Sequence, residues 1–208
     1  MPPNETERSS TAEEIAYSVA MLIVVTLGLS GNLAIIVILR HPEHRRKPIT
    51  YLMLNIAMAH TFICIFGYPI SISYQLRHRS IPWKSLTCNW LAFANASVGI
   101  ASIMTFTHMS VTQYHKVTQL FLLSHLSAQT NQKRRFISIV GIWGTAFLLS
   151  IPPTLGWGTF EPMFSGAGCH PNWASQNLRD KTYALFLVTG GFFIPLAVII
   201  YSYTKTYR

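Results

Sequence analysis

The feature that most constrains this sequence is the placement of its charged residues, which leaves five long stretches without Asp, Glu, Lys or Arg. They cover residues 15–39, 48–76, 85–115, 136–160 and 182–204. Each is long enough, as a helix, to cross about 30 Å of hydrocarbon. Because hydrocarbon offers the backbone no hydrogen-bonding partner, a crossing segment has to satisfy its own N–H and C=O groups, as a helix does. We therefore predict an all-α transmembrane bundle with helices over these five ranges.

Composition favours a membrane protein over a soluble one. Half of the residues are apolar and 11% are charged, whereas a soluble domain carries about 25% charged residues. A chain this short cannot cover five all-round apolar helices with polar ones. Residues 1–14 contain four glutamates rather than a basic leader, so we expect a polar tail and no cleaved signal peptide. Residues 15–208 then form one transmembrane domain without a linker or an internal repeat.

The basic residues report the orientation of the chain. The net charge is +9, but the 16 Lys and Arg residues lie mostly in short loops, which argues against nucleic acid as a partner. Ten of them lie in the first and third loops and at the C-terminal end, and six on the opposite side. The positive-inside rule then places the N-terminus outside. We expect a multi-pass protein of the plasma membrane, with lipid as a partner.

The cysteines and one sequon agree with this orientation. Asn4 begins an Asn-Glu-Thr glycosylation sequon in the tail, which would be lumenal. Cys88 at the start of the third span and Cys169 in the loop after the fourth would both face the oxidising side. We therefore predict a disulfide between them. Cys64 lies in mid-span and is interpreted as a buried apolar residue.

Polar side chains within the spans indicate which faces are turned towards other helices. They are Asn32, Asn55, His60, Asn95 and His108. In lipid such groups are costly unless they face the bundle interior, where they hydrogen-bond between helices or serve function. No Asp, Glu, Lys or Arg lies in mid-span, which argues against a proton pump, a voltage sensor or an ion-coupled transporter.

The longest connection, residues 161–181, is predicted to be an irregular outer loop. Its prolines and glycines disfavour regular structure, and a loop of this length in a compact protein is often a lid over a binding site, although a passive connector remains an alternative. The sequence contains no phosphate-binding loop, no nucleophile elbow and no metal-ligand spacing. We therefore expect no enzyme and no metal site.

Several motifs resemble the rhodopsin-like G protein-coupled receptors. They are Gly31-Asn32, Leu54-Asn55-Ile56-Ala57, Cys88, Trp143 and Pro195 with Tyr203. Within this family, Gly156-Trp157 followed by Cys169 and Asn172-Trp173 is similar to the second outer loop of opsins, peropsins and neuropsins in particular. Gly67-Tyr68-Pro69 also resembles peropsins. The resemblance runs from about residue 18 to the end of the sequence.

This resemblance implies a seven-helix receptor fold of which five helices are present. Opsins bind retinal as a Schiff base on a lysine of the seventh span. The six lysines here lie in loops or at span ends, so the attachment lysine is absent from this chain. We expect the sequence to be part of a longer receptor or a truncated product, with retinal as the cofactor of the complete protein.

The chain also departs from the family at positions that carry charge. Thr112-Gln113-Tyr114 stands where the family has Asp-Arg-Tyr, so the charge pair that governs G protein engagement is missing and coupling to a heterotrimeric G protein is disfavoured. His60 replaces the sodium-site aspartate of span two. With Asn32, Asn55 and Trp143, it is expected to form a polar network inside the bundle.

The resemblance also assigns a set of retinal-pocket candidates. The two usual positions of the retinal counterion hold Leu91 and Met163, and Glu161 is the nearby carboxylate. The residues expected to line the pocket are Asn95, Ala96, Gly99, Trp173, Leu187 and Phe192. The alternative is that these six are ordinary helix-packing residues.

The function that the resemblance implies for the complete protein is that of an opsin-type photoreceptor that signals to a G protein through bound retinal. A retinal-binding photoisomerase or a non-coupling opsin would tolerate the altered triplet. Receptors for a diffusible ligand remain an alternative, as do a small transporter and a non-signalling membrane subunit.

Overall fold

A computed structural model describes residues 11–45, 47, 49–77, 79–122, 132–163 and 165–207. The sequon at Asn4 lies outside them. Eight helices and two strands are present in this part of the chain: α1 Thr11–Arg40, α2 Pro42–Arg45, α3 Thr50–Phe66, α4 Tyr68–Leu76, α5 Leu86–Leu122, α6 Gln132–Ser150, β1 Phe160–Pro162, β2 Cys169–Pro171, α7 Leu178–Val188 and α8 Ile194–Thr206. A 3₁₀ turn, Pro152–Leu155, follows α6, and a π-helical segment, Thr189–Phe193, joins α7 to α8.

These helices form five spans. Span one is α1, span two is α3 with α4, span three is α5, span four is α6, and span five runs from α7 through the π-helical segment to α8. Four of them are long and apolar enough to cross a membrane: Ile15–Arg40, Thr50–Leu76, Leu86–Thr118 and Leu178–Thr206. The remaining one, span four, has 19 residues, which is about 28 Å of helix. The structure therefore has the predicted all-α bundle.

Span four ends ten residues earlier than predicted. The sequence indicated a helix over 136–160, but the structure ends it at Ser150. Pro152 and Pro153 lack the N–H that a continuing helix needs, and Gly156 closes the following turn with φ of +91°. The apolar residues after Ser150 therefore belong to the outer connection.

Prolines also interrupt spans two and five. Span two breaks at Gly67, just before Pro69, which cannot donate to the carbonyl four residues earlier. In span five the π-helical segment Thr189–Phe193 lies directly before Pro195. Span three is longer than predicted and continues to Leu122.

Span three lies at the centre of the bundle and packs against spans two, four and five. The main core cluster joins residues of these four spans, among them Leu52, Ala101, Ala146 and Leu187. Span one contributes little to it, since most of its apolar side chains are exposed. This outward apolar surface is what a lipid-facing helix requires.

A shared hydrogen-bond network joins spans two, three and four. The Asn55 amide donates to Thr105 Oγ1 at 3.0 Å, and the Trp143 indole donates to Asn55 Oδ1 at 2.9 Å. His60 Nε2 lies 3.0 Å from Ser102 Oγ of span three. Asn32, which we expected in this network, instead donates to Gly28 O of its own helix at 2.7 Å, because the carbonyl one turn earlier is always within reach of a short amide.

The outer connection is more ordered than the irregular loop that the sequence predicted. Its strands β1 and β2 pair antiparallel, with Phe160 opposite Pro171, Glu161 opposite His170 and Pro162 opposite Cys169. We call residues 156–177 the lid. The last residues of the predicted loop already belong to α7, which starts at Leu178.

One side of the lid is fixed to the start of span three. The predicted Cys88–Cys169 disulfide is present, with the two Cα atoms 5.3 Å apart. The Trp83 indole donates to Phe160 O at 3.0 Å, and the Ile81 N–H donates to Gly166 O at 3.1 Å. These contacts place the β-hairpin over the outer end of the bundle.

The other side of the lid is fixed to span five by a buried carboxylate. Asp180, in the first turn of α7, is 5% exposed. Its two oxygens accept hydrogen bonds from Thr159 Oγ1 at 3.0 Å and from Ser175 Oγ at 2.6 Å. Both hydroxyls belong to the lid, so a single side chain holds two points of it.

We predict that Asn55→Leu lowers the thermal stability of the detergent-solubilised protein. It removes two interhelical hydrogen bonds, each worth about 0.6 kcal/mol and up to about 1.7 kcal/mol in a membrane bundle. Asn32→Leu is the control, because among the described residues its amide hydrogen-bonds its own helix. An equal loss of melting temperature in the two variants would contradict the network.

We predict that Asp180→Ala loosens the lid while the disulfide stays intact. Losing an acceptor shared by two hydroxyls costs about 1–3 kcal/mol, so amide hydrogen exchange over residues 159–175 should accelerate about 10-fold or more. Lys181→Ala serves as the comparison, since the Lys181 side chain is exposed and its ammonium donates to Gln176 Oε1 rather than to the lid hydroxyls that Asp180 holds. Unchanged exchange in Asp180→Ala would show that the carboxylate does not hold the lid.

Candidate ligand cavity

A cavity of about 330 Å³ lies between spans three and five and beneath the lid. It is lined by fourteen residues from α5, β2, the lid segment after β2, α7 and the π-helical segment. All six residues that the sequence assigned to a pocket are among them: Asn95, Ala96, Gly99, Trp173, Leu187 and Phe192. Residues far apart in the chain therefore converge on one space.

Span three supplies the inner wall of the cavity. Asn95, Ala96 and Gly99 are spaced so that they share one face of the helix. A Cβ atom added at Gly99 would meet nothing within 4 Å, so glycine at this position leaves open space beside the helix. The amide of Asn95 donates to Leu91 O of its own helix at 2.9 Å.

Span five supplies the opposite wall, and its π-helical segment forms part of it. Gly191 and Phe192, which both lie in this segment, line the cavity. A π-helical turn contains one extra residue, which shifts the register of the side chains around the helix, and such turns are frequent at functional sites. The segment therefore sets which side chains of span five face span three.

The lid supplies the outer wall through β2 and Trp173. Cys169, His170 and Pro171 line the cavity. His170 Nδ1 lies 2.7 Å from Pro171 O and 3.9 Å from Glu161 Oε1 across the hairpin. Sequence reasoning missed His170 and Gly191; the disulfide at Cys169 is the signal that could have located His170 beside the cavity.

The lining is apolar with few polar groups. None of the fourteen residues is Asp, Glu, Lys or Arg. The two positions at which the resemblance predicted a counterion are also uncharged: Leu91 is fully buried and Met163 is exposed in the lid. Such a space suits an elongated apolar ligand with a small polar group.

The second space of similar size, about 340 Å³, lies on span five alone. Its lining includes Leu185, Phe186 and Ile194. Only span five forms it, whereas span three, span five and the lid all contribute to the first space, which we regard as the candidate site.

The altered triplet lies at the inner end of span three. Thr112 Oγ1 donates to His108 O of its own helix at 2.8 Å, and Gln113 is exposed. The Tyr114 ring contacts the Tyr201 ring of span five edge-on, with centroids 6.3 Å apart. The triplet thus joins spans three and five by an aromatic contact.

Comparison with known proteins agrees with this geometry. The family described as 7 transmembrane receptor (rhodopsin family) matches residues 31–208. Rhodopsin, G0-coupled, and Rhodopsin, GQ-coupled, both from Mizuhopecten yessoensis, are 27% and 29% identical to the chain over 97% and 98% of its length. The chain spans 50% and 40% of these two relatives, so it covers about half their length.

Other relatives and one solved structure give the same assignment. Pineal opsin of Petromyzon marinus is 26% identical over 88% of the chain, which spans 40% of that protein. The crystal structure of squid rhodopsin has the same fold, with a TM-score of 0.87 and 22% identity over 98% of this chain and 54% of squid rhodopsin. The chain therefore belongs to the rhodopsin family of seven-transmembrane receptors, in which it is opsin-like.

Proposed function

We propose that this receptor is a photoreceptor that binds retinal in the cavity between spans three and five. The observation that supports the proposal is the convergence of Asn95, Ala96, Gly99, Trp173, Leu187 and Phe192 on one apolar space beneath the lid. Several relatives are named as rhodopsins or opsins. When bound, retinal supplies light absorption and a change of shape.

The space fits such a group because its lining is mostly apolar and because Gly99 has no side chain to fill it. The open volume beside Gly99 is what a flat polyene needs, and the Phe192 ring of span five lies across the cavity from it. In the opsins that the chain resembles, the attachment lysine is on the seventh span. None of the cavity-lining residues here is a lysine.

We further propose that the receptor lies in the plasma membrane with its N-terminus outside. The ten-to-six division of basic residues supports this orientation. So does the Cys88–Cys169 disulfide, since such bonds persist on the oxidising side. The lid then faces the exterior and the Thr112-Gln113-Tyr114 triplet faces the cytoplasm.

The signalling partner in this proposal is a heterotrimeric G protein. The names of the two Mizuhopecten yessoensis rhodopsins describe those proteins as G0-coupled and GQ-coupled. One observation favours a second candidate, a retinal-binding photoisomerase or non-coupling opsin. Gln113 provides no charge at the inner end of span three. A neutral amide cannot form the charge-assisted hydrogen bonds that an arginine forms.

We predict that Gly99→Leu abolishes retinal binding. Gly99 lines the cavity and a Cβ atom there would meet nothing within 4 Å, so the added side chain takes up space that a ligand needs. Quenching of tryptophan fluorescence by added retinal is the measurement, because Trp173 lines the cavity. Gly144→Leu is the matched control, since a Cβ at that glycine also meets nothing within 4 Å and Gly144 is outside the cavity. Equal quenching in the two variants would refute the site.

We predict that the double variant Thr112→Asp, Gln113→Arg raises light-dependent nucleotide exchange on a G protein several-fold above that of the natural receptor. The restored charges provide stronger hydrogen bonds at an exposed helix end. Exchange is measured in membranes containing the receptor and retinal, in light and in darkness. A natural receptor without any light-dependent exchange would favour the second candidate, and one as active as the variant would exclude it.

A further inference from the structure

The polar groups of the cavity are few, and none of them belongs to Asp, Glu, Lys or Arg. Its hydrogen-bonding side-chain groups belong to Asn95, His170 and Trp173. Glu161, the nearest carboxylate to His170, is not part of the lining. A ligand in this space therefore meets amide, imidazole and indole groups and carbon.

Asn95 has hydrogen-bonding capacity left over. One N–H of its amide is used by Leu91 O at 2.9 Å. This bond assigns the nitrogen and leaves Oδ1 and the second N–H without a partner among the described residues. The Asn95 side chain is half-buried and lines the cavity, so these groups are available to a ligand.

His170 is a polar group that the lid contributes to the cavity. Its Nδ1 lies 2.7 Å from Pro171 O and 3.9 Å from Glu161 Oε1. Its Nε2 has no hydrogen-bond partner among the described residues. The Asn95 amide carries no formal charge, so the polar contact that span three offers to a ligand is neutral.

These groups lie towards the outer half of the space. Asn95 is seven residues along the helix from Cys88 at the disulfide, about 10 Å, and His170 belongs to the lid. Ile103, eight residues or about 12 Å deeper than Asn95, and Phe192 line the cavity with carbon only. An amphiphilic ligand is therefore held with its polar end outward and its apolar end inward.

We propose that Asn95 makes this cavity selective for ligands whose polar end is uncharged, such as a polyene alcohol, over the corresponding amine or carboxylic acid. A charged end would be moved out of water with no Asp, Glu, Lys or Arg in the lining to pair with it, which is unfavourable. A hydroxyl can both donate to and accept from the Asn95 amide. This inference rests on the proposed function, because it assumes that the cavity holds a polyene.

The test uses the full chain in lipid nanodiscs and three probes that share one polyene: retinol, retinylamine and retinoic acid. Quenching of tryptophan fluorescence reports the binding of each probe, because Trp173 lines the cavity. We expect retinol to bind at least 10-fold more tightly than the other two. Asn95→Asp changes the charge of the side chain at nearly constant volume. It should increase the affinity for retinylamine at least 10-fold relative to that for retinol, and it should lower the affinity for retinoic acid further.

Two further variants make the outcome decisive. Asn32→Asp is the matched control, because Asn32 also donates to the carbonyl one turn earlier but lies outside the cavity; it should leave the order of the probes unchanged. Asn95→Leu, which introduces no charge, should remove the preference for retinol while polyene binding persists. An unchanged order in both Asn95 variants would overturn the inference and leave the proposed function standing. If none of the probes binds the natural chain, the proposed function fails and the inference fails with it.

Discussion

The constraint on which the rest of this structure depends is the absence of hydrogen-bonding partners for the backbone in hydrocarbon. Helices satisfy it within each span, so any departure from helical geometry needs a local cause and a local compensation. The departures here lie at Gly67 before Pro69, at Pro152 and Pro153, and at the π-helical segment before Pro195. The first two lie towards the outer half of the bundle, and the third faces span three. Irregular backbone is therefore concentrated around the cavity and the lid.

The same constraint explains why so few polar side chains organise the interior. Asn55 bonds spans three and four at once, through Thr105 and Trp143. An amide side chain can donate one hydrogen bond and accept another from two different helices. The hydroxyls of Ser102 and Thr105, in contrast, donate to carbonyls of their own helix. The outer end is organised differently, by a disulfide and by the carboxylate of Asp180.

Much of this architecture could be predicted from the sequence because the physics is local. Uncharged stretches predicted the spans, and the positions of Cys88 and Cys169 predicted their disulfide. Motif positions brought together six residues that the structure places around one cavity, although their role in binding stays a prediction.

Other features depend on three-dimensional geometry that the pattern of residue types in the sequence does not determine. Residues 151–160 continue the apolar composition of span four, so only the conformational effect of two prolines ends that helix. The β-hairpin depends on the pairing of Glu161 with His170. Whether the Asn32 amide hydrogen-bonds its own helix or a neighbouring one depends on interatomic distances in the folded bundle. His170 and Gly191 were missed because neither belongs to a motif and both face the cavity only through tertiary structure.

The double attachment of the lid has a mechanical consequence. A disulfide joins it to span three and Asp180 joins it to span five, so the outer ends of these two spans are held at a fixed separation. Relative motion between them is then a tilt about that outer point. Span five, Leu178–Thr206, has 29 residues and is about 43 Å long, so a tilt of about 5° moves its inner end by about 4 Å. With the outer ends held together, a small tilt of span five at the cavity would give a larger displacement near its inner end, where Tyr201 contacts Tyr114.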